Sequence, residues 1–435
     1  MKTRVKIVVV TENPGIACWP CADYDFQKEL DRVLNPVYAK NADIDFDVCV
    51  YTELSQAQKD YPEDKEKYQG VLVLLMTCWK QIDAFYCNQA ADGIPAIVAD
   101  VPFCGTGSAL CVASKLIREN NLPVPLLSTL NYNEIADAVH LFSVLHKLQQ
   151  TKILIVTNKD YPGNQALCDT WGCTCVYRGA KDLLDRYAAA DMTQAQTVAQ
   201  KWIDEADGVY EPTREDIIES ARLYLAIKAL MEECGADAVT VDCLNLSYEG
   251  GYGNNIHMYP CLSHYQMLRE GITAVCEADL QSTIASLIAN FVTGKPGYVS
   301  DPVLDTSADQ IIYAHCVACP NVFGPNDPRV CRHYIRSHAE DRKGASVQVI
   351  FPAGEPLTTI QVDAVTGTVH SSVSVGNVGL EEACRSKLAA SANTQALLYN
   401  WDYAWHRITV FGDYRKQFLH LFKMKNLHIL EEDKM

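Results

Sequence analysis

No stretch of about 18 apolar residues occurs in this chain of 435, so no helical membrane span is expected. No run of Lys or Arg is long enough to form a basic groove, and 37 basic against 54 acidic residues leave a net charge of −17. Such a balance repels a phosphate backbone and weakly favours cations, so neither nucleic acid nor membrane is an expected partner. Low-complexity tracts and internal repeats are also missing. The motifs GxxxxGK(S/T), HExxH and GxSxG do not occur, which excludes P-loop, zincin and nucleophile-elbow chemistry. A secretory leader is not expected: Lys2, Arg4 and Lys6 imitate a basic head, but the apolar run Ile7 to Val10 is soon broken by Glu12-Asn13-Pro14. That run reads as a first strand.

What is present is ordinary for a globular chain. Hydrophobic residues make up 48% and charged residues 21%, with 23 Gly and 18 Pro dispersed, which rules out collagen-like and disordered classes. At about 150 residues per domain the length allows two or three domains. The 18 cysteines are numerous, yet they fall inside predicted strands and helices (Cys49, Cys78, Cys111, Cys234, Cys276). Most of them read as reduced core residues in a cytoplasmic protein.

Short apolar runs alternate with helical stretches to about residue 320, the pattern of an α/β protein. Strands are predicted at Val5 to Val10, Phe46 to Tyr51, Val71 to Met76 and Ala96 to Val98, the first three continuous enough to be buried on both faces of a parallel sheet. A helix from Asn133 to about Leu148 closes this unit, and a strand at Ile153 to Thr157 opens the next. Thr213-Arg-Glu-Asp216 has capping-box spacing, and Ile218, Ala221, Leu225 and Ala229 share one helical face. Strands at Ala238 to Val241 and Thr273 to Cys276 follow. Beyond about residue 345, alternating runs at Ser346 to Phe351, Leu357 to Val362 and Thr368 to Val375 predict antiparallel structure. The expected organisation is an N-terminal Rossmann-like or flavodoxin-like domain (1–150), a second such parallel-sheet domain (151–325) and a mainly antiparallel β domain (326–435).

The segment from Thr273 to Pro302 carries the chemistry. Leu280, Ile284, Leu287, Ile288 and Phe291 mark a helix, Asp279 suits its N-cap, and Gly294 with Pro296 ends it. A strand-helix-strand unit of this kind predicts two parallel strands, neighbours about 4.8 Å apart. Glu277 then lies just past the end of the first strand and Asp301 just past the end of the second, at the sheet edge where α/β proteins bind ligands. Two close carboxylates repel unless a shared proton or a cation relieves them, so a divalent metal is the natural third member. Asp279 is read as a helix cap alone.

The stretches Pro260-Cys261-Leu262, Glu270-Gly271-Ile272, Cys276-Glu277-Ala278-Asp279, Asp301-Pro302 and Ala314-His315-Cys316 resemble the L-fucose isomerase and L-arabinose isomerase superfamily, nearest its shorter fucose-isomerase-like branch. Ser337-His338, Gly354-Glu-Pro-Leu-Thr358 and His406-Arg-Ile-Thr-Val-Phe-Gly412-Asp413 are similar to it as well. The similarity is strong over Pro260 to Gly324 and scattered from Arg336 onward; for residues 1–240 only the architecture matches. The resemblance implies a cytoplasmic aldose–ketose isomerase acting on a monosaccharide through an enediol, with Mn²⁺ or another divalent cation held by residues matching Glu277, Asp301 and His406. The two carboxylates would also serve as acid and base. A shell of two carboxylates and one imidazole suits Mn²⁺. The resemblance further implies a homo-oligomer, trimeric or hexameric, whose pocket takes an aromatic from a neighbouring subunit, for which Trp79 is the candidate. His315 and Asp402 are further candidates for substrate contact. At Asp402 the larger fucose isomerases carry Asn, which leaves the sugar, including its C6 substituent, open.

Two competing readings remain. A catalytically silent sugar sensor also uses consecutive α/β domains, but it has no need of an acid, a base and a metal together. Gly105-Thr-Gly-Ser-Ala-Leu110 has part of the turn used by NAD-dependent oxidoreductases and lacks its third glycine. Cys18-Trp-Pro-Cys21 and Cys316-Val-Ala-Cys319 would make a four-thiolate zinc site only if their separate domains brought them together.

Overall fold

The computed structural model of the chain describes residues 2–21, 23–91, 93–248 and 259–435. Residues 1–147 with 416–428 form one compact unit, and residues 148–415 with 429–435 form another. The first unit contains β1 (Thr3–Val10), β2 (Ile44–Tyr51), β3 (Gly70–Leu75), β4 (Ala96–Asp100) and β5 (Leu126–Ser128). They build one parallel sheet in the order β2-β1-β3-β4-β5. The apolar strands β1 and β3 are central and buried along almost their whole length, as sheets covered on both faces require. The strand at Phe46 to Tyr51 differs from expectation. As β2 it is the sheet's edge, and Val48 and Val50, which share one face, are exposed. The glycines that imitate a dinucleotide turn have a packing reason: a Cβ on Gly105 would lie 2.3 Å from Leu75 Cβ.

The second unit opens with a parallel sheet of β6 (Lys152–Val156), β7 (Thr174–Arg178), β8 (Ala238–Val241) and β9 (Thr273–Cys276), in the order β7-β6-β8-β9. The helix Arg214–Cys234 packs in its core through Ile218, Ala221 and Ile227. Thr213 caps it as the sequence predicts: Thr213 Oγ1 accepts the Asp216 N–H at 3.2 Å, and the Asp216 carboxylate accepts the Thr213 N–H at 2.8 Å.

The helix Leu280–Thr293 leaves this sheet for the next. Its N-cap is Asp279, which accepts the Ser282 N–H at 3.0 Å, and Gly294 ends it in the left-handed region. The remaining strands are β10 (Tyr298–Asp305), β11 (Gln310–His315), β12 (His333–Arg336), β13 (Ser346–Val349), β14 (Pro356–Val362), β15 (Thr366–Asn377), β16 (Ser386–Ser391), β17 (Arg407–Phe411) and β18 (His428–Glu431). All but β12 and β13, which pair with each other, form a mostly antiparallel sheet in the order β14-β17-β10-β11-β16-β15-β18. The α/β class, with two parallel sheets followed by mainly antiparallel β structure, matches the expectation from sequence.

One local expectation fails. The strands before and after the helix Leu280–Thr293 are not parallel neighbours, because β9 ends the parallel sheet while β10 belongs to the antiparallel one. A short turn after Asp305 folds β11 back on β10 in the register Asp301↔Ala314, and β17 pairs with the other edge at Tyr298↔Thr409. Both edges of β10 are therefore taken, and the helix bridges two sheets instead of crossing over within one.

Candidate metal centre

Four chain segments converge where the parallel sheet of the second unit meets its larger antiparallel sheet. Just past β9, Glu277 and Ala278 both adopt positive φ, +68° and +53°. Left-handed backbone costs a residue with a Cβ about 1–3 kcal/mol, and such strain gathers where geometry is needed for function. Here the two-residue kink turns the chain from strand into the N-cap of the following helix and leaves Glu277 at the sheet edge. Asp301 is carried on β10, His315 ends β11, and His406 immediately precedes β17.

Glu277, His315 and His406 each offer a ligand atom within 4.8 Å of the others, a group able to hold a metal ion. Asp301 shares the site: its Oδ1 lies 3.1 Å from His406 Nε2, and Glu277 Oε2 lies 3.8 Å from the same nitrogen. Although Asp301 is near, Nε2 is buried and makes no well-aligned hydrogen bond. The opposite ring nitrogen is fixed, since His406 Nδ1 pairs with Asp279 Oδ2 at 2.7 Å. A carboxylate on Nδ1 places the proton there and leaves Nε2 as the lone-pair atom, the arrangement of metal-bound histidines. Asp279, read from sequence as a cap alone, therefore holds the helix and the imidazole together. No spacing signal connects it with a histidine 127 residues away.

His315 is held differently. Its Nδ1 accepts the backbone N–H of Val317 at 3.1 Å, so the proton of the neutral ring resides on Nε2. Cys384 Sγ approaches Asp301 Oδ2 at 3.9 Å. Along the same edge, Asp242 follows β8 and is buried, accepting from Thr157 Oγ1 at 3.0 Å and from Tyr161 OH at 3.4 Å. An acidic residue directly after the strand at Ala238 to Val241 was the available signal for it.

Electrostatics follow from burial and from this crowding. Burial pushes the Glu277 carboxyl up, and the neighbouring Asp301 and Asp279 push the same way against the pull of the two histidines. Burial also acts to raise Asp301 and Asp279, but contact with His406 outweighs it and both fall below the ordinary carboxylate value. Burial disfavours the His406 cation, yet the carboxylates of Asp279, Asp301 and Glu277 prevail and raise its pKa to about 11. Without a cation of its own, the site keeps a proton on the imidazole to balance its negative charge. A donor set of carboxylates and imidazoles with an unpaired buried nitrogen fits a divalent ion of the Mn²⁺ kind.

Trp79 follows β3 in the first unit, at φ +68° and 62% exposed. The Asp402 carbonyl accepts Arg407 Nη2 at 3.3 Å, and the residue lines a cavity of about 10 Å³ with Gln361, Asp363 and Tyr403. That loop also presents Trp405, whose Nε1 donates to the Pro302 carbonyl at 3.2 Å beside Asp301. All 18 cysteines are free thiols, and the two C-x-x-C pairs fall in different compact units. Among the described residues no helix is long and apolar enough to cross a membrane.

No known family profile matches the chain. No curated protein matches it either. Among solved structures it is similar to one described as a two-component system response regulator/GGDEF domain protein, at 11% identity and a TM-score of 0.29. The match covers 66% of this chain and 97% of that one. At that TM-score it bears on neither fold nor function.

Proposed function

We propose that the chain is a metal-dependent aldose–ketose isomerase of the L-fucose and L-arabinose isomerase superfamily, acting on a monosaccharide. The observation that carries this reading is the meeting of Glu277, His315 and His406 within 4.8 Å, with Asp301 on the same imidazole nitrogen. A sugar sensor needs polar groups and aromatic faces; it does not need acidic groups crowded around an imidazole.

Glu277, Asp301 and His406 would hold Mn²⁺ or a similar ion, and His315 would join them or donate to the substrate. When bound, such an ion polarises the sugar carbonyl and acidifies the neighbouring C–H. Glu277 is the more open carboxylate, with 35% of its side chain exposed against 18% for Asp301, so it is placed to take the C2 proton and return it at C1. Asp301, whose carboxyl is held below its ordinary value, stays ionised and would serve as a ligand beside His406. Asp279 keeps the imidazole oriented throughout. Trp405 and Tyr403, exposed beside His406, offer apolar faces for a sugar ring.

The test is a screen of pentoses, deoxyhexoses and C6-modified hexoses for ketose formation with Mn²⁺ supplied. Conversion of one class, abolished by chelation and by Glu277→Gln, is the expected result. Sugar binding without conversion across the whole panel would favour the sensor.

A further inference from the structure

The helix Asn164–Trp171 ends at Gly172, whose φ of +82° reverses the chain so that β7 returns alongside it. Cys173 and Cys175, two residues apart on extended chain, share one face. That face meets Cys168 on the helix: Cys168 Sγ lies 3.2 Å from Cys175 Sγ. Cys173 interacts with Cys168 as well. Cys168 and Cys173 are buried and Cys175 is partly exposed. The sulfurs form a row centred on Cys168 and do not close into a three-ligand group, since the Glu277 site alone meets that geometry among the described residues. Such a row favours a bond between two sulfurs over capture of a metal.

We propose that Cys168 and Cys175 form a reversible dithiol–disulfide site, oxidised by a hydroperoxide. The Cys168 thiolate attacks the peroxide, giving a sulfenic acid and hydroxide. The Cys175 sulfur then displaces the sulfenic oxygen and forms the S–S bond. That oxygen leaves as hydroxide and takes up the Cys175 proton as water, while the first hydroxide takes the proton that Cys168 lost on ionising; with hydrogen peroxide as the hydroperoxide, two thiols and one peroxide give one disulfide and two waters. Cys168 is the attacking sulfur because it is the one in contact with both neighbours, and that contact holds its pKa well down while pushing Cys173 and Cys175 up. Closing from 3.2 Å to a bond of about 2.05 Å needs only a small movement of the helix end against the edge strand. Thr170 and Trp171 at that helix end donate to the carbonyls of Ala364 and Asp363 at 3.0 and 3.1 Å. The oxidised pair would thus tether a helix that grips the β14–β15 turn. This inference is independent of the isomerase reading.

All three cysteines fall in one tryptic segment, Asp160 to Arg178, so the test is a count of alkylated cysteines in that peptide. Treating the folded chain with hydrogen peroxide should lower the count from three to one, and dithiothreitol should restore it. Cys168→Ser should stay at two after peroxide, Cys175→Ser should fall only to one because Cys168 stops at a sulfenic acid with no partner sulfur, and Cys173→Ser should fall from two to none. Three alkylations persisting at a peroxide dose that oxidises exposed Cys21 and Cys111 would overturn the proposal. So would a fall to none in Cys175→Ser, which would make Cys173 the partner, or equal oxidation in urea, which would mean that the fold contributes nothing.

Discussion

His406 Nδ1 and Asp279 Oδ2 lie 2.7 Å apart, and the same carboxylate caps the helix Leu280–Thr293 by accepting the Ser282 N–H. One side chain thus ties the orientation of a candidate ligand to the start of a helix. Replacing Asp279 by Asn separates the two roles, since Asn caps a helix as well as Asp but brings no charge to the imidazole. Asp279→Asn should keep its melting temperature within a few degrees while Mn²⁺ affinity falls about 10- to 100-fold. Asp279→Ala should show the same loss of affinity and lose about 1 kcal/mol of stability from the missing cap. Titration of Mn²⁺ followed by paramagnetic resonance, beside thermal melts, checks both. Unchanged affinity in Asp279→Asn would reduce the contact to a structural one.

Glu277→Gln and Asp301→Asn conserve volume while removing charge. Each should lower isomerase turnover about 100-fold or more, with circular dichroism unchanged. Glu277→Gln should also relieve the strain of a buried carboxylate crowded by Asp301 and Asp279, so its stability should equal or exceed that of the parent. A variant that isomerises sugar at the parental rate would remove that residue from the machinery.

Much of this arrangement is legible in the sequence, for local reasons. Uninterrupted apolar runs mark β1 and β3, and Asp279, Gly294 and the Thr213 box mark helix ends, because caps and burial are encoded within a few residues. Glu277 stands out as an acid just past a strand end; Asp301, expected past the end of the next strand, lies inside β10, which runs on to Asp305. The rest depends on contacts distant in sequence. Nothing near residue 44 shows that β2 is an edge. Nothing between Cys276 and Tyr298 shows that β10 joins another sheet, because its partners β11 and β17 come later in the chain. His406 is suggested by family resemblance alone, and Asp279 hides its second role behind a sufficient first one. The kink at Glu277 and Ala278 is invisible for a different reason: neither residue is a glycine that would announce positive φ.

The two histidines should differ. His406 has Nδ1 engaged by a carboxylate and Nε2 unpaired, whereas His315 accepts the Val317 N–H on Nδ1 and carries its proton on Nε2. To ligate through Nε2, His315 must surrender that proton or its backbone bond. His406→Ala should therefore weaken Mn²⁺ binding severalfold more than His315→Ala, while His315→Ala should act more on turnover or substrate KM. Equal losses of Mn²⁺ affinity in the two variants would make His315 a full ligand.

Directly after His406, Arg407 is fully buried and bonds Glu432, also fully buried, through Nη2 and Nε; His370 Nδ1 meets the same carboxylate at 2.8 Å. Arg407 also donates to the carbonyls of Asp402, Ala404 and His406, so this ion pair anchors the loop that carries the imidazole. Burial acts to raise Glu432, but His370 and Arg407 prevail and bring its pKa from 4.5 down to about 2. A carboxylate depressed in the folded state adds stability that is fully present above its unfolded pKa and is lost as pH falls through its folded value. The shift corresponds to about 3 kcal/mol at pH 7, in line with the cost of breaking a buried pair. Glu432→Gln should therefore unfold in urea with about 3 kcal/mol less stability than the parent at neutral pH, and the gap should narrow steadily as pH drops from about 4.5 toward 2. A gap of the same size at both ends of that window would mean that the glutamate acts through packing and not through its charge.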